Sequence, residues 1–433
     1  MEHDSASRST DANHRSRLLT GANIAITVAA LGYFVDVFDL ILFNVVRWQS
    51  LTDLGLTLEE ATGTGVWLLN LQLIGMMVGG LLWGVLGDYR GRLSVLFGSI
   101  ILYSVANILN AGVGVASGPL SFMGGLDPIP TYGVLRFAAG VGLAGELGAG
   151  VTLVAEIASR GRRGVAITVI GAVGVIGAVA AGVVSEYAGW RLSYAIGGVM
   201  GLCLLALRFA VAESGLFAAL KHGDGSVSRG IVPIVRSWSL LSRLLRVVLI
   251  GMPIWFTLAV LVGLAPMIAG AMGVDPKPSP GHLVALYYSG AIFGDLASGL
   301  LSQFLRSRKK AIGVFLTGTA LGCALVMLLG PRGAWWYGAA TVVMGFFSGF
   351  WIVVITTACE SFGTNARATV TTMVPNLIRV SAVPVTILYM WMTESAGAVS
   401  AVWIIGGACF AISAVALIGL RETFGRDLDF VEG

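Results

Sequence analysis

The chain has 433 residues, of which 56% are hydrophobic and only 12% charged, and its mean hydropathy is +0.86. So few charges over that length exclude a soluble globular enzyme and indicate a polytopic membrane protein. The net charge of +4 does not imply a nucleic-acid partner, because in a membrane protein the placement of basic residues matters more than their sum.

Residues 1–21 are polar, with no apolar core and no small-residue cleavage site, so they read as a cytoplasmic tail and not as a signal peptide. Apolar runs long enough to cross a bilayer follow at 22–46, 64–86, 93–116, 131–157, 165–187 and 191–211, then at 246–272, 282–305, 311–330, 334–359, 368–392 and 398–420. A polar linker at 212–245 divides them into an N-terminal bundle of six spans (22–211) and a C-terminal bundle of six (246–420), and 421–433 forms a second tail. The expected fold is therefore an all-α membrane protein of twelve transmembrane helices in two six-helix bundles.

The first span carries Tyr33-Phe34-Val35-Asp36-Val37-Phe38-Asp39-Leu40, two carboxylates inside an apolar helix. Each costs about 2.5 to 3.5 kcal/mol at the centre of a span, so a compensating partner is expected. Their i, i+3 spacing places both on one helical face. The second span ends in Gly84-Val85-Leu86-Gly87-Asp88-Tyr89-Arg90-Gly91-Arg92. Gly84 permits close helix approach, and Asp88 at a helix end can latch one conformation through a basic residue across the interface. The fourth span holds Arg136, Glu146 and Glu156; the fifth carries Gly171, Gly174, Gly177 and Gly182, a close-packing spacing.

In the second half, Trp255, Phe256, Tyr287, Tyr288, Trp351 and Asn376 are aromatic or polar side chains able to shape a pocket. Asp295, in the eighth span, reads either as a second proton site or as a local packing group. Arg379 stands between Pro375 and Pro384, which interrupt the eleventh span and free backbone groups to line a site. A guanidinium presents planar, bidentate donors, so Arg379 is the first candidate for binding an anion.

The 27 basic residues fall mostly on one side of this arrangement, with Arg47, Arg191, Lys277 and Arg332 on the other and Arg136 and Arg379 within spans. The positive-inside rule then puts both termini in the cytoplasm, with the protein in the plasma (bacterial inner) membrane. Helical rise puts Asp39 and Arg136 at similar depth, roughly 8 Å below the outer surface, and Glu146 and Arg379 near the midplane. The four are thus expected as two ion pairs in one cavity, with Asp36, Asp39, Arg136 and Glu146 handling protons. The substrate contacts are expected from Arg379, Arg136, Asn376, Trp255, Tyr287 and Trp351.

The halves echo one another: Glu156 and Arg163 after the fourth span match Glu360 and Arg367 after the tenth, with the same seven-residue step. With the helix count and the Gly84–Arg92 signature, this resembles the major facilitator superfamily, although Tyr89 replaces a usual basic residue. The segments Arg136–Glu146, Gly189-Trp190-Arg191 and Arg421-Glu422-Thr423-Phe424-Gly425-Arg426 are similar to its sugar-porter and metabolite:proton symporter branches. The resemblance implies alternating access, with Gly84, Asp88, Arg90, Gly91, Arg92, Glu156, Arg163, Glu360 and Arg367 as a cytoplasmic latch. The corresponding segment Ser302–Arg308 of the second half has lost the Asp and Gly, which puts a latch there in question.

The function expected from the sequence is proton-coupled uptake of a small organic anion such as a carboxylate. Protons are the coupling ion, no other cofactor is implied, the lipid bilayer is the surrounding partner, and a monomer is expected. Proton-driven efflux of an amphipathic compound and a transporter-shaped sensor are the alternatives. No phosphate-binding glycine loop points to an ATP-driven pump, and no nucleophile-base pair or metal cluster points to an enzyme. Cys203, Cys323, Cys359 and Cys409 have no metal-ligand spacing and read as small buried apolar groups.

Overall fold

A computed structural model describes the backbone at residues 2–90, 92–115, 119–145, 163–213 and 236–425. Within those ranges, side chains are described except at 2–26, 84–85, 87–94, 163–169, 172, 210–213 and 364–368. Every regular element described is helical: α1 (Glu2–Asp53), α2 (Leu58–Arg90), α3 (Arg92–Ala111), α4 (Pro128–Leu143), α5 (Arg163–Glu213), α6 (Trp238–Phe256), α7 (Ala265–Ala271), α8 (Pro280–Phe304), α9 (Arg308–Leu329), α10 (Ala334–Ser348), α11 (Trp351–Ser361), α12 (Thr364–Val380), α13 (Ala382–Ala396) and α14 (Ala398–Ile418). Among the described residues, nine helical segments are long and apolar enough to cross a bilayer.

Local chemistry sets several helix ends. Thr57 and Glu60 form a reciprocal cap at the start of α2: the Thr57 amide donates to Glu60 Oε2 at 2.9 Å, and the Glu60 amide returns to Thr57 Oγ1 at 3.3 Å. Asp127 accepts from the Ile129 amide ahead of α4, whose first residue is Pro128. The expected fifth and sixth spans appear as one element, α5, broken at Gly189, where φ of 73° is open to glycine and strained for other residues.

Three other spans are broken, and only the break in the eleventh was expected, from its prolines; Pro375, expected to interrupt that span as well, lies inside α12. The seventh continues from α6 through a π-helical turn, Thr257–Val262, before restarting as α7. The tenth is split into α10 and α11 at Gly349-Phe350, and the eleventh into α12 and α13 at Ser381. Pro384 lies three residues beyond that last break, where its ring would clash with the backbone of a continuous helix.

Close approach between helices rests on small residues, as expected where lipid supplies no hydrophobic drive. A Cβ on Gly75 or Gly79 of α2 would strike the carbonyls of Phe137 and Val141 of α4, and one on Gly177 of α5 would strike the Phe34 carbonyl of α1. The halves meet where α5 packs on α8 and α2 on α12 and α13.

At the Asp53 end the halves are closed against each other. Arg47, expected in an outer loop, is buried and donates through Nη2 to the Gly263 carbonyl, which also accepts from Trp48 Nε1 at 3.3 Å. Nearby, a Cβ on Gly182 would lie 2.7 Å from the Gly281 carbonyl. Cys203 is exposed, contrary to the expected burial, because it lies on the outward face of α5.

Candidate functional site

Two cavities lie between the halves. The central one is lined by Val37 and Leu40 of α1, Ile254 and Trp255 of α6, Tyr287, Tyr288 and Ala291 of α8, and Arg379 of α12. The second, a vestibule extending towards the Glu360 end, is lined by Ile170, Gly171, Ile355, Thr356, Thr371 and Pro375. Tyr33, Val175, Asp295 and Trp351 line both and form a waist between them.

Arg379 is 5% exposed and its Nη1 donates to Asn376 Oδ1 at 3.1 Å. Nε of the same guanidinium is buried with no acceptor among the described residues. A buried cationic donor left in this way is a rare and costly arrangement, which an incoming anion would relieve. The Arg379 charge acts on Tyr33, Asp36 and Tyr288, and its Cζ lies 6.0 Å from the centre of the Trp351 ring. Asn376 does not line the cavity; it holds Arg379 and donates from Nδ2 to the Thr372 and Ala144 carbonyls, the latter across the two halves.

Tyr287, Trp255 and Trp351 line the cavity as expected from the sequence. The Tyr287 hydroxyl meets Thr257 Oγ1 at 2.9 Å in the π-helical turn, which ties α8 to the seventh span. Tyr33 and Tyr288 add two further aromatic walls. Tyr33 sits against Gly174, where a Cβ would overlap its ring. Its role is readable afterwards from the stripe Tyr33, Val37, Leu40, which repeats with helical spacing along the cavity.

Arg136 and Asp39, expected in this cavity, are not among the described residues that line it. Arg136 is fully buried inside the N-terminal half, donating from Nη2 to Asn107 Oδ1 at 2.6 Å, with its Cζ 4.5 Å from the Tyr194 ring centre. Tyr194 and Tyr132 share a 2.8 Å hydroxyl contact, and Tyr194 senses both Arg136 and Asp39. Asp39, 1% exposed, projects onto Gly197 of α5. Asp36 instead falls within the field of Arg379. Three residues along a helix leave about 60° between side chains, enough to send the two acids to different neighbours. Asn107 and Tyr194 carried a signal as polar groups within spans, but nothing in the sequence linked them to Arg136.

Glu146, Glu156 and Gly91 lie outside the described residues, and so do the side chains at Gly84, Asp88, Arg90, Arg92, Arg163 and Arg367. Glu360 is described, and its partner comes from the segment whose latch the sequence left in question. Arg308 Nη2 meets Glu360 Oε1 at 2.9 Å, and Thr423 Oγ1 donates to Glu360 Oε2 at 2.8 Å. Glu422 accepts from Ser307 Oγ and from the Arg308 amide at 2.9 Å. Partial burial pushes the Glu422 carboxyl up, but donors from Ser307, Phe424, Arg308 and Thr423 outweigh it and hold the group down at about 2. Glu422 and Thr423 thus tie the start of α9 to the end of α11 at one end of the second half.

Residues 29–379, most of the chain, match the family model described as the Major Facilitator Superfamily. The chain belongs to that superfamily. It is a multi-pass membrane transporter, and the named relatives are transporters too. A protein of Haemophilus influenzae that carries the name metabolite transport protein is 30% identical over 223 residues, covering 51% of this chain and 50% of that one. The 3-(3-hydroxy-phenyl)propionate transporter of Escherichia coli is 27% identical, over 55% of this chain and 56% of its own. The cis,cis-muconate transport protein of Acinetobacter baylyi is 24% identical over 93% and 95%. The first two alignments therefore span about half of those relatives. Among solved structures, a D-xylose-proton symporter superposes with a TM-score of 0.66 at 17% identity, covering 94% of this chain and 99% of that one. The partially occluded inward-open form of the Escherichia coli xylose transporter gives 0.67 at 16% identity, over 94% and 100%. At such identities the likeness establishes the fold.

Proposed function

We propose that this transporter takes up a small aromatic or conjugated carboxylate together with protons, by alternating access. The observation that carries the reading is Arg379: its Nη1 is committed to Asn376, while Nε is buried without an acceptor among the described residues, beside the aromatic walls of the central cavity. A carboxylate docked on that free edge receives parallel charge-assisted hydrogen bonds, and its flat body meets Trp351, Trp255 and the tyrosines. One relative is named for 3-(3-hydroxy-phenyl)propionate, an aromatic carboxylate, and another for cis,cis-muconate, a conjugated one, which supports the class. A neutral sugar would leave the buried cation unmatched.

Coupling follows from competition for one cation. An ionised Asp36 and a bound carboxylate both draw on Arg379, so loading the anion favours a proton on Asp36. Asp39, against the Arg136 and Tyr194 cluster, is assigned the partner role in proton coupling. The Asp53 end is closed through Arg47, Trp48 and Gly263 while the vestibule extends the other way, an arrangement that matches an inward-facing state with both termini in the cytoplasm. The Arg308, Glu360 and Glu422 cluster then lies on the cytoplasmic face.

The test is proton movement in proteoliposomes challenged from outside with aromatic monocarboxylates, dicarboxylates, phosphate, sugars and cationic dyes. Lumenal acidification with a carboxylate, absent from protein-free liposomes, is expected. Alkalinisation with a dye would assign the protein to efflux, and no proton movement with any carboxylate would refute symport.

A further inference from the structure

The waist between the two cavities contains one carboxylate, Asp295 of α8, which is half-buried and borders both spaces. It does something that no residue of its own span requires. The break at Gly349-Phe350 leaves α11 with unpaired amides at its first turn, and its own capping residue, Phe350, supplies no side-chain acceptor. Asp295 Oδ1 accepts the Ile352 amide at 3.4 Å, and the Trp351 amide also faces the carboxylate. The cap of α11 therefore comes from another helix. An ionised carboxylate is favoured at a helix N-terminus by the orphan amides and the helix dipole; a neutral acid loses most of that attraction.

The neighbourhood lets this contact control the waist. Trp351 is the first residue of α11, and its side chain lines both cavities together with Tyr33 of α1. Any shift of the α11 terminus moves Trp351 relative to Tyr33. The backbones beneath are packed too closely to absorb the motion: a Cβ on Gly349 would sit 2.5 Å from the Asp295 amide nitrogen and 2.7 Å from the Ala291 carbonyl oxygen. The titratable groups that face Asp295 or its neighbours are Tyr287 and Tyr288 on its own helix, Tyr33 and Asp36 on α1, Arg379 on α12, and Cys323 of α9 behind Tyr287. Among the described residues, α5, α10 and α11 add none to the cavity walls.

We propose that Asp295 is a proton-binding site in its own right, whose ionised carboxylate pins the start of α11 and whose protonation releases it, opening the waist towards the vestibule. The proton comes from cavity water, which reaches the carboxylate from either side, and returns to water on the vestibule side when α11 is pinned again. This inference needs alternating access; it does not need the substrate to be an anion.

The test uses access to the central cavity and no substrate. Ala291, one turn from Asp295, lines the central cavity and not the vestibule. In the full chain with its four cysteines replaced, Ala291→Cys is alkylated by a membrane-impermeant maleimide presented on the Glu360 face. Rates are normalised to the denatured protein at each pH, which removes the intrinsic titration of the thiol. Between about pH 8 and about pH 5 the normalised rate should rise about tenfold, the effect of losing one charge-assisted hydrogen bond. With Asp295→Asn added, the rate should be high throughout; with Asp295→Glu, the pH dependence should persist.

A flat profile with Asp295 intact overturns the proposal, as does a profile that Asp295→Asn leaves unchanged. A profile that survives Asp295→Asn but vanishes in Asp36→Asn moves the switch to α1 and also overturns it. Because no transported compound enters the experiment, these outcomes are separate from any failure of the carboxylate panel.

Discussion

Arg379→Lys keeps the positive charge and removes the planar fork, so it isolates what the guanidinium edge contributes. In the native site Nη1 is held by Asn376 at 3.1 Å, and the buried Nε, which has no acceptor among the described residues, belongs to the edge proposed to meet the anion. A lysine ammonium has no second, fixed donor in that direction and must also choose between Asn376 and the ligand. At least one hydrogen bond to a charged group is lost, worth about 1.5 to 3 kcal/mol, which corresponds to a roughly ten- to hundredfold weaker affinity. Calorimetric titration of the purified variant with an aromatic carboxylate, alongside its thermal unfolding, measures this directly. The carboxamide analogue supplies the control, because it cannot use the fork and should bind wild type and variant alike. An unchanged carboxylate affinity, or an equal loss for the amide, would refute bidentate recognition at Arg379.

Asp39→Asn should abolish proton-driven accumulation and spare substrate exchange across equilibrated vesicles; wild-type accumulation removes Asp39 from coupling. Gly197→Ala places a methyl group on the Asp39 Oδ1 position and 3.3 Å from Phe38 Cε1. It should lower the proton-to-substrate ratio and destabilise by about 1 to 3 kcal/mol through overpacking, both measurable in vesicles and by thermal unfolding. Glu422 has a depressed folded pKa of about 2, so its contribution is complete above the ordinary carboxylate value near about 4.3 and is lost as pH falls through about 2. Glu422→Gln should therefore leave the transport midpoint between about pH 5 and about pH 8 where it was, since the group stays ionised throughout that window. A displaced midpoint would show that the clamp itself titrates.

The helical class and the locations of the spans were legible because lipid imposes apolar runs of fixed minimum length. Pro384 signalled the break at Ser381, whereas the breaks at Gly349-Phe350 and the π-helical turn at Thr257–Val262 were hidden, since both keep the hydropathy of their surroundings. Arg379, Trp255, Tyr287 and Trp351 were readable as pocket residues because each is unusual where it stands. Depth arithmetic placed Arg136 level with Asp39, but depth says nothing of azimuth. Azimuth put Arg136 against Asn107 and Tyr194, outside the cavity lining. The Arg308 and Thr423 contacts of Glu360 were hidden for a related reason: the internal repeat pointed to Arg367, whose side chain lies outside the described residues, and gave no sign of partners from segments distant in sequence.

The separation of the two acid-base groups gives α1 its importance. Asp36 lies in the electrostatic field of Arg379 in the C-terminal half, and one turn on, Asp39 acts with Arg136 on Tyr194 in the N-terminal half. A helix that carries both cannot tilt without changing the two fields together. Gly174, Gly177 and Gly197 of α5 present bare backbone to α1 at Tyr33, Phe34 and Asp39, so the surface it moves against is smooth along the length that holds both acids. Protonation of either acid removes one anchor and not the other, and the direction of the tilt then depends on which is neutral. Under the proposed coupling, one helix acts rigidly between two cations, and substitutions that roughen its track should abolish proton-driven accumulation while exchange persists, even when every charge is retained.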